Sequence, residues 1–148
     1  MSKGLVVFAT RTSQTRKIAN LIAEGMRFGG FEVEIRNVTE LGNDAAALND
    51  YDAIVLGSAT YHGEMMQTMK TFLFAAEKAN LEGKTGGSFG AFGWSGEAPG
   101  RIFDTMANIY KMDMVGGPLR LKSADLGGGV KMAQDYGREI AQKATASK

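Results

Sequence analysis

Apolar positions fall along this chain in two rhythms. Gly4-Leu5-Val6-Val7-Phe8 and Ala53-Ile54-Val55-Leu56 are unbroken apolar runs, which predict strands covered on both faces. Phe31-Glu32-Val33-Glu34-Ile35-Arg36 alternates instead, so the second strand has one polar face and belongs at or near a sheet edge. Gly87 to Phe92 reads as a fourth strand. About Met114 to Lys122 reads as a fifth, and Pro118 inside it points to an edge. Between the strands the spacing turns helical. Ile18, Leu21, Ile22 and Phe28 form one apolar stripe, with Arg16, Lys17, Asn20 and Glu24 facing solvent, and Gly29-Gly30 ends that helix. Met66, Met69, Phe72, Leu73 and Ala76 mark the next helix. A third runs from about Pro99, tolerated in a first turn, to Tyr110, and a fourth from about Val130 to Ala144 after Gly127-Gly128-Gly129. The connection after the second strand is polar, with a helical turn across Ala45 to Leu48.

Strands alternating with helices give an α/β fold: a parallel sheet with helices on both faces and right-handed crossovers. No linker, repeat or low-complexity tract divides the 148 residues, so a single domain, 1–148, is expected. Ligands of such sheets bind beyond the carboxyl ends of the strands, and three strand-to-helix loops there have unusual composition. The first places the hydroxyls of Thr10, Thr12, Ser13 and Thr15 where a helix begins. Two readings fit: Thr12 or Ser13 is an ordinary N-cap, or the hydroxyls and the unpaired helix amides cradle a phosphate. The second loop is Gly57-Ser58-Ala59-Thr60-Tyr61-His62-Gly63 and the third is Gly93-Trp94-Ser95-Gly96-Glu97. Tyr61 and Trp94 read either as packing aromatics or as contacts for a flat ring. A planar ligand with a phosphate tail satisfies all three loops at once.

Composition narrows the chemistry. With no cysteine and one histidine, His62, there is no thiol chemistry and no basis for a His-rich metal centre. Net charge is +1 with no basic block, which gives no footprint for nucleic acid. No apolar run reaches the roughly 18 residues of a membrane span, and no signal peptide precedes the first strand, so a cytoplasmic protein is expected. The first loop is neither Gly-x-x-x-x-Gly-Lys-Ser/Thr nor Gly-x-Gly-x-x-Gly. His62 reads as a packing or hydrogen-bonding residue beside the ligand, or as a base without a visible partner.

At these loops the sequence resembles the flavodoxin family, over the whole chain. Thr10-Arg11-Thr12-Ser13-Gln14-Thr15 is similar to the family's phosphate loop, Ser/Thr-x-Thr-Gly-x-Thr. Gly57-Ser58-Ala59-Thr60-Tyr61 is similar to the loop carrying one flavin-side aromatic. Gly90-Ala91-Phe92-Gly93-Trp94-Ser95-Gly96-Glu97 is similar to the third loop, above all in the flavodoxin domain of flavodiiron proteins. The resemblance implies a flavodoxin-like three-layer sandwich with a five-stranded parallel sheet of order 2-1-3-4-5. It implies FMN, bound by Thr10 to Thr15, Ser58 to Gly63 and Phe92 to Glu97, with electrons shuttled between a reductase and an acceptor protein in brief encounters, by a monomer or weak dimer; Arg11, Arg16, Lys17 and Arg101 near that site suit partners with acidic patches. Three departures stand out: Ser13 replaces the family's usual glycine, His62 stands where many members have glycine with Gly63 available in its place, and the chain is nearly neutral where members are strongly acidic. The last implies a less negative second reduction potential. Thr60 to Leu73 also resembles the flavodoxin-like NAD(P)H:quinone reductases, which implies the alternative of a two-electron enzyme, although those proteins carry insertions absent here. A third reading is a binding module with a degenerate flavin pocket.

Overall fold

The unbroken apolar runs become the centre of a parallel sheet. The computed structural model describes residues 2–10, 13–41, 45–61, 64–91, 97–121 and 128–146, the side chains of Ala45 and Tyr61 excepted. In chain order it contains β1 (Lys3–Ala9), α1 (Ser13–Phe28), β2 (Glu32–Asn37), α2 (Val38–Leu41), a 3-10 turn (Ala45–Asp50), β3 (Ala53–Ser58) and the short strands β4 (Thr60–Tyr61) and β5 (Glu64–Met65). There follow α3 (Gln67–Ala76), β6 (Thr85–Ala91), α4 (Glu97–Asn108), β7 (Asp113–Met114), β8 (Leu119–Leu121) and α5 (Gly129–Ala146). The sheet runs β2-β1-β3-β6-β7, with β8 also paired to β6 and every neighbour parallel. This is the expected order 2-1-3-4-5, with the fifth position filled by two pieces.

Successive residues of the central strands point to opposite faces and build two cores. Val6, Phe8 and Val55 pack with Ile18 and Ile22 of α1 and Ile140 of α5. Leu5, Val7 and Leu56 pack with Met69 and Phe72 of α3 and Ile102 and Met106 of α4. Phe89 of β6 is fully buried, a gain of about 2–3 kcal/mol for a side chain of this size. Its ring lies over Gly57, where a Cβ would stand 2.3 Å from ring carbons.

α1 and α5 approach so closely that a Cβ on Gly25 would sit 2.0 Å from the Gln134 carbonyl oxygen, and one on Gly137 2.1 Å from that of Ile22. The α1 stripe is therefore smaller-grained than expected: Ala19, Ala23 and Gly25 are buried beside Ile18 and Ile22. Phe28, expected on that stripe, is instead exposed, with the Arg138 guanidinium 4.9 Å from its ring centre. Gly29-Gly30 does end the helix: Gly30 has φ 92°, the Phe31 amide reaches Met26 O and the Gly30 amide reaches Arg27 O, the paired bonds of a left-handed helix cap.

Three local features depart from the expected pattern. The fifth strand is not continuous over Met114 to Lys122: Val115 to Pro118 separate β7 from β8, and Lys122 lies outside the described residues. Pro118 has no amide to donate, and the break is held by Tyr136, whose hydroxyl accepts the Ser88 amide (3.0 Å) and donates to the Gly117 carbonyl (2.9 Å). The polar connection holds a helical turn, α2, before the expected one. Asn37 Oδ1 accepts the Thr39 amide (3.1 Å) and Glu40 accepts the Asn37 amide (2.8 Å), a reciprocal capping pair. The third departure is the β4–β5 hairpin, which lies at the site.

Candidate functional site

The carboxyl ends of β1, β3 and β6 lie side by side. Ala9 pairs with Ser58 in register, and the Ala59 amide donates to the Ala9 carbonyl at 3.2 Å. β6 comes so near that a Cβ on Gly90 would lie 2.3 Å from the Ser58 carbonyl oxygen; only glycine allows this approach.

In the first loop the helix begins earlier than the apolar pattern indicates. Ser13, Gln14 and Thr15 form the opening turn of α1, where amides lack intrahelical acceptors and the helix end carries partial positive charge. Thr15 is fully buried, and among the described residues its Oγ1 is the buried side-chain polar atom with no hydrogen-bond partner. A buried hydroxyl is normally satisfied, so this one fits an acceptor supplied from outside the chain, at a helix end suited to a phosphate. Arg16 lies outward, its guanidinium 5.5 Å from the centre of the Phe8 ring, within cation–π range.

In the second loop Ser58 is buried; its Oγ accepts the Met66 amide (3.0 Å) and donates to the Ala59 carbonyl (2.9 Å). The chain then forms the β4–β5 hairpin, pairing Thr60 with Met65 and Tyr61 with Glu64. Thr60 Oγ1 accepts the Ala98 amide at 3.1 Å. Glu64 lies 3.4 Å from Lys70 Nζ and 3.6 Å from Arg101 Nε. The Met65 amide, donating to Glu64 at 3.1 Å, outweighs partial burial and, with the two cations, holds the Glu64 carboxyl below the usual carboxylate range.

Of the sequence-predicted site residues, the sheet end gathers Thr10, Ser13, Gln14, Thr15, Ser58, Ala59, Thr60, Tyr61 and Glu97, the last as the exposed first residue of α4. Arg11, Thr12, His62, Gly63, Phe92, Gly93, Trp94, Ser95 and Gly96 lie outside the described residues. Sequence reasoning placed Arg101 near the site as a basic residue facing partners, but missed Glu64, Lys70 and Ser88, whose Oγ donates to the Pro99 carbonyl (2.8 Å) and ties the first turn of α4 to β6. Glu64 and Lys70 are six residues apart and Arg101 lies 37 beyond Glu64, and no spacing rule links the three. No group of metal-ligating side chains occurs among the described residues, and none of their helices is long and apolar enough to cross a membrane.

Residues 5–114 match the family model described as a flavodoxin domain. An NAD(P)H dehydrogenase (quinone) of Bradyrhizobium sp. is 35% identical over 60% of this chain and 56% of its own length. A type A flavoprotein of Rhodobacter capsulatus is 27% identical over 95% of this chain but 33% of its own length. This chain thus spans about half of the first relative and a third of the second. Among solved structures, a flavodoxin from the domain Archaea is 28% identical with a TM-score of 0.89, covering 97% of this chain and 99% of that one. The chain belongs to the flavodoxin family, whose members bind FMN and transfer electrons with it.

Proposed function

We propose that this chain binds FMN without covalent attachment and works as a one-electron carrier between protein partners. The observation that carries the reading is the buried hydroxyl of Thr15 in the opening turn of α1, which has no hydrogen-bond partner among the described residues. On this reading Thr10, Arg11, Thr12, Ser13, Gln14 and Thr15 hold the phosphate. Ser58, Ala59, Thr60, Tyr61, His62 and Gly63 line one side of the ring; Phe92, Gly93, Trp94, Ser95, Gly96 and Glu97 line the other. FMN supplies the group that takes up and releases electrons, while the protein fixes its position and limits its contact with water. Arg16 and Lys17 are exposed beside this end of the sheet, so partners of acidic surface fit, met in weak encounters. A monomer or weak dimer in the cytoplasm accords with that role.

The second reading is an NAD(P)H:quinone reductase, favoured by the 35% identical relative. Against it stands length alone: residues 10–12, 92–96 and 122–128 are all that the sequence places between these strands and the helices that follow them. FMN-loaded protein decides between them. Stepwise reduction through two resolved one-electron stages, with no turnover of NADH or NADPH with a quinone, supports the carrier. Steady pyridine-nucleotide oxidation coupled to quinone loss supports the reductase, and failure to bind added FMN removes both.

A further inference from the structure

The hairpin of Thr60 to Met65 is too short to hold itself. It has two cross-strand pairs, and a lone ribbon of that size is marginal in water. Its anchors come from the elements around it. Ser58 Oγ receives the Met66 amide where the hairpin returns to α3, and the Met65 side chain is buried in the α3–α4 core. From α4, the Ala98 amide donates to Thr60 Oγ1, and Arg101 faces Glu64 Oε1 at 3.6 Å. Ala98 and Arg101, three residues apart, share one face of that helix. From α3, Lys70 faces the other carboxylate oxygen, Oε2, at 3.4 Å. One carboxylate thus spans both helices. The α4 end is a fixed base, because Ser88 ties Pro99 to β6.

We propose that Glu64 and Arg101 are a positioning pair: their contact locks the paired strands β4 and β5 against the first turns of α4 and thereby sets FMN affinity through the backbone of Thr60 and Tyr61. This rests on the FMN reading above. The pair acts through the backbone it holds; its charge is a separate influence, and the two are distinguishable by sign. FMN is an anion, so through charge alone Glu64→Gln tightens binding and Arg101→Gln weakens it. Through the lock, both weaken it, and the second substitution adds nothing once the first has broken the contact.

The test uses wild type, Glu64→Gln, Arg101→Gln and the double variant, with melting temperature as the check that each folds. Hydrogen exchange at the Ala98 amide, measured without flavin, should quicken by about threefold in both single variants, the size of effect a partly exposed ion pair supports. FMN Kd, from quenching of flavin fluorescence, should rise by about threefold in each single variant and by about the same threefold, not ninefold, in the double. Unchanged Ala98 exchange in both single variants overturns the lock, as do Kd shifts of opposite sign or a fully additive double variant. A wild-type protein that does not bind FMN overturns the proposed function instead, and the exchange measurement still decides whether the lock exists.

Discussion

Thr15→Val should move two observables in opposite directions. Thr15 is fully buried and its Oγ1 lacks a partner within the described chain. Leaving a buried hydroxyl unsatisfied costs about 1–3 kcal/mol. Valine keeps the branched shape and has nearly the same helix propensity, so the apoprotein should gain about 1 kcal/mol, the low end of that range. For a chain of this size the melting temperature then rises by roughly 3 °C. Binding goes the other way. A hydrogen bond from a hydroxyl to a charged phosphate is worth about 1.5–3 kcal/mol, so FMN affinity should fall roughly 10- to 100-fold. Calorimetry of the apoprotein reads the first effect and a fluorescence titration with FMN the second. A valine variant with unchanged FMN affinity refutes the phosphate role of this hydroxyl. A lower apoprotein melting temperature refutes the reasoning from the unmet hydrogen bond.

Gly137→Ala drives a methyl group to 2.1 Å from the Ile22 carbonyl oxygen; this is backbone that yields only by parting α1 from α5, so a loss of about 3 kcal/mol is expected in urea unfolding. Gly116→Ala, with nothing within 4 Å of the new methyl and no positive φ, is the matched control and should change stability little. Tyr136→Phe leaves the Ser88 amide and Gly117 carbonyl without the hydroxyl that joins them and should cost about 1–3 kcal/mol; equal melting temperatures would show that the break in the fifth strand does not depend on that bridge. Tyr51, which donates to Glu34 at 2.5 Å, has its pKa pushed up to about 12 by burial first and by Glu34 second. Its folded value exceeds the unfolded value of about 10, so its contribution is complete below about pH 10 and is lost as pH rises through about 12; alkaline unfolding of Tyr51→Phe should lack that component.

The sheet was legible because burial on both faces leaves a signature that needs no knowledge of neighbours. The runs from Gly4 to Phe8 in β1 and from Ala53 to Leu56 in β3 are unbroken and central, and β2 alternates and is an edge. The helical stripe of α1 was legible only in part. Ile18 and Ile22 are buried, but Phe28 lies ten positions beyond Ile18, where 100° per residue has carried the helix well off the core-facing line. What buries that face instead is alanine and glycine, whose small size signals close packing only once the partner helix is known. The split of the fifth strand had a local cue in Gly116-Gly117-Pro118, and the capping pair Asn37–Glu40 had one in its spacing. Thr60 to Met65 offered no comparable cue, because two residues per strand are too few to establish a period.

At the site, the same division separates the groups proposed to bind from the groups proposed to position. Hydroxyls crowded at a strand-to-helix junction fit an anion cradle as well as an ordinary N-cap when read from sequence alone, since the helix that follows supplies its own amides. Which of them is buried is a tertiary matter: Ser13 is exposed and Thr15 is not, although both lie in the same turn of α1. Glu64, Lys70 and Arg101 look like ordinary solvated charges when read along the chain, and exposed ion pairs of that kind contribute little to stability. Their meeting depends on β5, α3 and α4 being brought together by the sheet. Around a hairpin with two cross-strand pairs, even that small contribution is a large share of what holds it. The consequence of breaking the contact should therefore appear in local exchange and ligand affinity while the melting temperature of the whole chain stays nearly the same.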